Sequence, residues 1–94
     1  MESKSNNLIG LDNLQRPAEE EQQLNDTFAV VFGDPAGAKV LEYLRSISIE
    51  TVGGPNIDQQ HLMHLEGQRY IVGLIQRRIN KGKSQKIVKE KTNE

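Results

Sequence analysis

The sequence predicts an all-α protein in which a short leading helix precedes an antiparallel helical hairpin. Three observations support this fold class. Of 33 apolar residues, 24 lie between Phe28 and Ile79; two stretches of that window carry them at helical spacing; and each of these stretches follows an aspartate that suits a helix N-terminus. The 94 residues suffice for one small domain. We predict a mostly disordered arm over residues 1–24, a helical domain over 25–82 and a basic tail over 83–94.

The first two helices are predicted around a Gly-Asp-Pro turn. Asn25 or Asp26 can cap a short helix, TFAVVFG, that ends at Gly33. Asp34 is a good N-cap for a second helix, which Pro35 begins and which runs to about residue 47. Its apolar face comprises Ala36, Val40, Leu41, Tyr43, Leu44 and Ile47. Gly37 lies within this face, where a missing side chain permits close contact.

The third predicted helix is the longest and has the widest apolar face. It covers roughly residues 59–80, with Asp58 as its cap and Gly82 as its end. Its apolar side chains cover an arc of about 200°, whereas an ordinary surface helix has a stripe of about 100° or somewhat more. The rest of so small a domain cannot cover that arc. We therefore expect Val72 to face the core and Ile71, Leu74 and Ile75 to supply a surface for a partner or a second copy.

Charge is distributed unevenly, with an acidic start and a basic end. Residues 69–94 contain eight bases and two acids, which suggests contact with nucleic-acid phosphates. A solvated tail is the alternative interpretation. No aromatic residue follows Tyr70, so such binding would be salt-sensitive and not sequence-specific. The candidate contacts are Arg77, Arg78, Lys81, Lys83, Lys86 and Lys89.

An aliphatic cluster interrupts the polar N-terminal arm. In LIGLDNL, Leu8, Leu11 and Leu14 stand out from a background of Asn, Gln, Glu and Ser. The cluster has two interpretations, chance composition or a docking motif that becomes ordered on a partner. On the second, the three leucines contact that partner.

The motifs that could carry chemistry are incomplete. A phosphate-binding loop requires a Ser or Thr directly after its lysine. The FGDPAGAK stretch has glycines and Lys39, but no Ser or Thr follows the lysine. His61 and His64 could join Asp58 at a metal, but no further ligand set is evident. The chain has no cysteine. We predict no enzyme activity, no cofactor and no metal; without a signal peptide or a long apolar run, we also predict no membrane contact.

Two blocks of sequence resemble a family of small tailed-phage proteins. The first, FAVVFGDPAGAKVLEYL, carries a phenylalanine-rich short helix followed by the pattern (T/D)P-x-G-x-x-VL. The second, HLEGQRYIVGLIQRRI, carries the pattern EG-x-R before a helix rich in aliphatics. Genes of that family tend to lie among the portal, terminase and head genes. The chain departs from the family in its connection SIETVGGPNI, which is shorter than usual and lacks aromatic residues.

The resemblance implies a setting in the phage particle or its assembly. The first hypothesis is a non-enzymatic structural or assembly protein that binds a head, portal or tail component, itself, or both through the wide apolar helix face. It would reside in the virion, and in the host cytoplasm during assembly. One alternative is a DNA-packaging accessory, similar to a small terminase subunit, whose basic tail contacts DNA. The other is a phage-encoded inhibitor of a host protein.

Overall fold

The computed structural model describes residues 7–51 and 54–92, with side chains described as far as Val88. Two short strands, β1 (Asn7–Ile9) and β2 (Gln15–Pro17), precede three helices, α1 (Ala18–Gly33), α2 (Pro35–Ser46) and α3 (Gln59–Thr92). The protein is thus mainly helical, as the sequence predicts. It is not purely all-α, because β1 and β2 form a two-stranded sheet.

The N-terminal segment is ordered over residues 7–24, where the sequence predicts a mostly disordered arm. β1 and β2 pair antiparallel, with Leu8 opposite Arg16. The backbone N–H of Gly10 donates to the carbonyl of Leu14 at 2.9 Å, and Asn13 turns the chain with φ of 69°, a left-handed conformation that asparagine tolerates. Residues 1–6 lie outside the described part of the chain.

Helix α1 begins at Ala18, nine residues before the predicted first residue, Thr27. Three glutamates, Glu19 to Glu21, occupy its first turn, where negative charge is favourable to the helix dipole. On the buried side of this extension lie Glu21 and Asn25, both polar. Apolar spacing therefore marks only the last part of α1, the predicted helix TFAVVFG.

The predicted turn between α1 and α2 is confirmed. The Asp34 carboxylate accepts a hydrogen bond from the backbone N–H of Ala36 at 3.1 Å, and Pro35 is the first residue of α2. A Cβ atom on Gly37 would lie 1.9 Å from the carbonyl oxygen of Val31. Only glycine fits there, so α2 can start directly against the end of α1.

Helix α3 starts as predicted but does not end at Gly82. The Asp58 carboxylate accepts a hydrogen bond from the backbone N–H of His61 at 2.8 Å, and the helix continues to Thr92. The segment predicted as a basic tail is therefore helical through Thr92. Gly82 serves packing: a Cβ atom there would lie 2.3 Å from the carbonyl oxygen of Asn25 on α1.

The hydrophobic core is small and lies where α1, α2 and α3 meet. Its buried members are Leu41, Val72 and Ile79, which confirms the expectation for Val72. Partly buried hydrophobic residues pack around them: Phe28, Phe32, Leu44 and Ile75. The main packed pair is α1 with α3, and not the expected hairpin of α2 with α3, because the extended α1 supplies the buried partners of Arg78 and the backbone that Gly82 contacts.

The molecule is long and thin, with extents of 54 × 34 × 17 Å. A helix with its side chains is about 10–12 Å across, so the thinnest dimension is less than two helix layers. In such an arrangement each helix keeps a side that no other part of the chain covers. This shape explains why so few apolar residues are buried.

Candidate protein-interaction site

An open groove of about 550 Å³ separates the end of α2 from the start of α3. We call it the α2–α3 groove. Its lining consists of Leu44, Ile47, Ser48, Met63, His64, Gly67, Gln68, Ile71 and Val72. None of these residues is an acid, a lysine or an arginine. The groove is therefore an apolar surface with a few neutral polar groups, which suits a protein partner.

The groove lies on the first half of α3, before the residues that hydrogen-bond to α1. Further along α3, Gln85 bonds to Asn25 of α1 and Gly82 contacts the backbone of Asn25. The end of α1 at Gly33 lies beside Gly82 and Lys86. Met63, Gly67 and Ile71 instead border the end of α2.

Large apolar side chains along α2 and the first half of α3 are exposed. Met63 is 66% exposed and Ile71 is 55% exposed. On α2, an exposed row of Val40, Tyr43 and Ile47 follows the spacing of one helix face. We call this row the α2 stripe; it meets the groove at Ile47. With only three buried apolar residues in the described chain, this exposed surface is large for a protein that acts alone.

The predicted partner-binding residues fall into different environments. Ile71 is exposed, whereas Leu74 is half-buried and Ile75 packs against the core. In the N-terminal segment, Leu8 and Leu14 are exposed and Leu11 is half-buried. Among the three α3 candidates, Ile71 is the one that lines the α2–α3 groove.

A buried polar cluster joins the N-terminal segment to the two long helices. Arg78 of α3 is 2% exposed. Its Nη1 atom lies 3.0 Å from Glu21 Oε2 and 2.7 Å from Asn25 Oδ1, and its guanidinium lies over the ring of Phe28. The backbone N–H of Leu11 also donates to Glu21, at 3.0 Å.

The cluster is extended by Asp12 and Arg16 from the hairpin. Arg16 bonds to both Asp12, at 2.8 Å, and Glu21, and Asp12 lies 3.4 Å from Arg78. The hydrogen bond from Arg16, followed by that from the backbone of Leu14, holds the pKa of Asp12 well below its usual range. Two carboxylates thus face two guanidinium groups in this cluster.

For Glu21, burial and pairing act in opposite directions. Burial alone raises the pKa of its carboxyl group, but the hydrogen bonds from Leu11, Arg78 and Arg16 outweigh that effect and the net pKa is lowered. A carboxylate held ionised in this way stabilises the fold. We therefore interpret the cluster as structural.

The predicted nucleic-acid contacts do not form one surface. Arg78 is buried among carboxylates and is not accessible to phosphate. Arg77, Lys81, Lys83 and Lys86 are exposed, but Lys86 lies about 180° around the helix from Arg77. Arg77 also lies over the ring of Tyr70, at 5.9 Å from its centroid. The side chain of Lys89 lies outside the described part of the chain.

Arg69 has a role that the sequence alone did not reveal. Its Nε donates to the carbonyl of Ser48 at 3.1 Å and its Nη2 to that of Thr51 at 2.5 Å, while its contact with Glu66 on α3 is longer, at 3.4 Å. Arg69 thereby fixes the chain after α2 onto α3, beside the groove. Its place in the EG-x-R pattern was the available signal.

The two histidines considered as metal ligands, His61 and His64, lie in different surroundings. His61 is exposed beside Asp58, at 3.3 Å; this neighbour, first through the hydrogen bond from its backbone, lowers the pKa of Asp58. His64 lines the groove. Within residues 7–51 and 54–92, no group of three potential metal ligands of the His, Cys, Asp and Glu types is found.

Among the described helices, none combines the length and the hydropathy needed to cross a bilayer.

Comparison with known protein families gives a match that covers most of the chain. The family model described as Bbp19-like phage protein matches residues 28–89, which include the last six residues of α1, all of α2 and nearly all of α3. No curated protein and no solved structure matches the chain. The matched region contains both the α2 stripe and the α2–α3 groove.

Proposed function

The chain belongs to the Bbp19-like phage protein family, and from this premise we propose that it is a non-enzymatic structural or assembly protein of the phage particle. It would bind a head, portal or tail component through the apolar surface of α2 and α3. The observation that carries this proposal is the exposure of the α2 stripe and of Met63 and Ile71.

The energetics of burial support a binding role for this surface. Covering apolar area gains about 25 cal/mol per Å², and the exposed side chains of Tyr43, Met63 and Ile71 are among the largest on the molecule. A partner that covered them would gain hydrophobic stabilisation without first breaking internal contacts. The buried cluster of Arg78 and Glu21 keeps α1 fixed on α3, so the surface is held ready for binding.

A non-enzymatic role also agrees with the chemistry of the described residues. The carboxyl groups with lowered pKa values, Asp12, Glu21 and Asp58, each have a nearby cationic or histidine partner or a backbone donor. Such ionised, paired groups are suited to structural roles, whereas general acids need raised pKa values.

Two alternatives from the sequence remain predictions. DNA packaging would use the exposed bases of α3, and it predicts a DNA affinity that falls steeply with salt. A host-directed inhibitor predicts a protein that is made early and is absent from particles. Mass spectrometry of purified virions tests the structural role directly, since a structural protein is present there at a stoichiometric level.

The binding surface is tested with matched α2 variants. We expect Tyr43→Lys to reduce incorporation into virions, because it places a charge in the α2 stripe. Glu42→Lys introduces the same side chain at an exposed position beside the stripe and should leave incorporation near the wild-type level. Equal incorporation of both variants, with circular dichroism showing both folded, would argue against this surface.

A further inference from the structure

We infer that the α2–α3 groove binds the same groove of a second copy of this chain, with the two α3 helices packed antiparallel across Gly67. This inference rests on the proposed function, because it divides the apolar surface between two uses. The groove, including Ile47, pairs with its copy, and Val40 and Tyr43 of the α2 stripe remain for the virion component.

The spacing of groove residues on α3 is symmetric about Gly67. Met63 and Ile71 lie four residues before and after it, so all three fall on nearly one line along the helix. A Cβ atom at Gly67 would meet nothing within 4 Å, which leaves a notch between two large side chains. In an antiparallel pair, Met63 of each copy would fill the space beside Ile71 of the other, as a two-fold contact requires.

The amount of exposed surface agrees with a missing copy. The accessible surface is 7057 Å² for a mass of 10.6 kDa, whereas a folded monomer of that mass exposes about 5,500 Å². The excess is about 1,600 Å², and a stable interface covers about 800 Å² on each partner. One self-contact would cover about half of the excess and leave the rest for another protein.

The charge of the groove favours its own copy over a nucleic acid. A two-fold contact places each residue near the same surface of its partner, so a groove lined by charges of one sign would repel itself. The lining of this groove contains no acid, lysine or arginine. It therefore offers nothing to attract phosphates and nothing to oppose self-pairing.

Charge variants at Gly67 test the pairing. Because the site is open, Gly67→Glu and Gly67→Lys should each fold as the wild type does. Sedimentation should show the wild type as a dimer at tens of micromolar (an order-of-magnitude expectation for an interface of standard size). Each variant alone should dimerise at least about 100-fold more weakly, because two like charges meet at the contact. An equimolar mixture of the two should recover a heterodimer at low salt.

Gly73→Glu is the matched control. A side chain at Gly73 also meets nothing within 4 Å, but this residue does not line the groove, so its dimerisation should equal that of the wild type. A wild-type monomer, or an effect of Gly73→Glu equal to that of Gly67→Glu, would overturn the inference. A monomer that still enters virions would overturn the pairing and leave the proposed function intact. A dimer absent from virions would support the pairing and contradict the proposed function.

Single cysteines test the antiparallel direction, since the chain has no native cysteine. Under oxidation, Met63→Cys mixed with Ile71→Cys should give a cross-linked heterodimer. Efficient cross-linking of Met63→Cys with itself would instead show parallel helices and overturn the stated packing.

Discussion

The guanidinium of Arg78 on α3 lies 3.0 Å from the carboxylate of Glu21 on α1, and both side chains are at least nine-tenths buried. This pair joins residues 57 positions apart in the chain. With Arg16 and Asp12 it ties the hairpin, α1 and α3 into one unit. These contacts therefore fix the hairpin and α1 on α3 beside a core that has few buried aliphatic residues.

Breaking the pair should destabilise the domain. Removal of one partner from a buried ion pair leaves a charge without compensation and costs about 3–5 kcal/mol. Because Arg16 still contacts Glu21, we expect Arg78→Met to cost about 3 kcal/mol, at the lower end of that range. Urea unfolding followed by circular dichroism measures this cost.

An exposed pair supplies the control. Arg45 and Glu50 lie 3.7 Å apart with 36% and 58% of their side chains exposed, so Glu50→Gln should change stability by less than about 1 kcal/mol. Comparable costs for Arg78→Met and Glu50→Gln would show that the buried cluster contributes nothing special.

Acid should destabilise the fold through the same cluster. The pKa values of Asp12 and Glu21 are lowered in the folded state, so their contribution is fully present above about pH 5, where both groups are ionised even when unfolded. As the pH falls below about 4, the unfolded chain binds protons that the folded chain does not, and the free energy of unfolding declines. The melting temperature should therefore fall between pH 6 and pH 3, and Asp12→Asn should make that fall smaller. An equal fall in the variant would exclude a role for Asp12.

The sequence predicted the elements that follow from local apolar spacing and helix capping. The turn at Asp34 and Pro35, the start of α3 and the burial of Val72 all follow from local spacing and capping. The sequence did not predict the first two turns of α1, because polar residues, Glu21 and Asn25, take the buried positions there. Their partner Arg78 is distant in sequence, so no local pattern could show the match.

The candidate site was predicted only in outline. The wide arc of α3 indicated an uncovered apolar surface, and Ile71 does line the groove. Which part of that arc stays open depends on where α1 packs along α3, a tertiary property that no single helix pattern contains. The same limit applies to Gly82, since a glycine that ends a helix and one that admits a neighbouring helix look alike in sequence.

Alanine at Gly82 and at Gly67 should change stability in opposite directions. A methyl group at Gly82 would lie 2.3 Å from the carbonyl of Asn25, so α1 and α3 would have to separate, at a cost of about 1–3 kcal/mol. At Gly67 the space is open, and alanine should gain up to about 1 kcal/mol of helix propensity. Thermal melts at a concentration where the protein is monomeric measure both. Stabilisation by Gly82→Ala would contradict the close helix contact.

Glutamate at two adjacent positions of α3 should separate core from surface. Val72 is 6% exposed and Ile71 is 55% exposed. Val72→Glu buries an unpaired charge and should cost about 3–5 kcal/mol, enough to unfold so small a domain. Ile71→Glu should remain folded by circular dichroism and lose association. If Ile71→Glu unfolded the monomer as well, the groove would be part of the core.

Removal of the C-terminal segment after Gly82 should lower stability, although the sequence predicted a basic tail outside the helical domain. Gln85 exchanges hydrogen bonds with α1: its amide donates to the carbonyl of Gln22 at 3.1 Å and to Asp26 at 2.9 Å, and it accepts from Asn25 at 3.0 Å. Three such bonds contribute about 2 kcal/mol, or about 10 °C in Tm for a domain of this size. Truncation after Val88 keeps all three and should melt near the full-length value. Gln85→Ala in the full chain should reproduce most of the loss seen on truncation after Gly82; an unchanged Tm in both would show that the last turns of α3 are independent of α1.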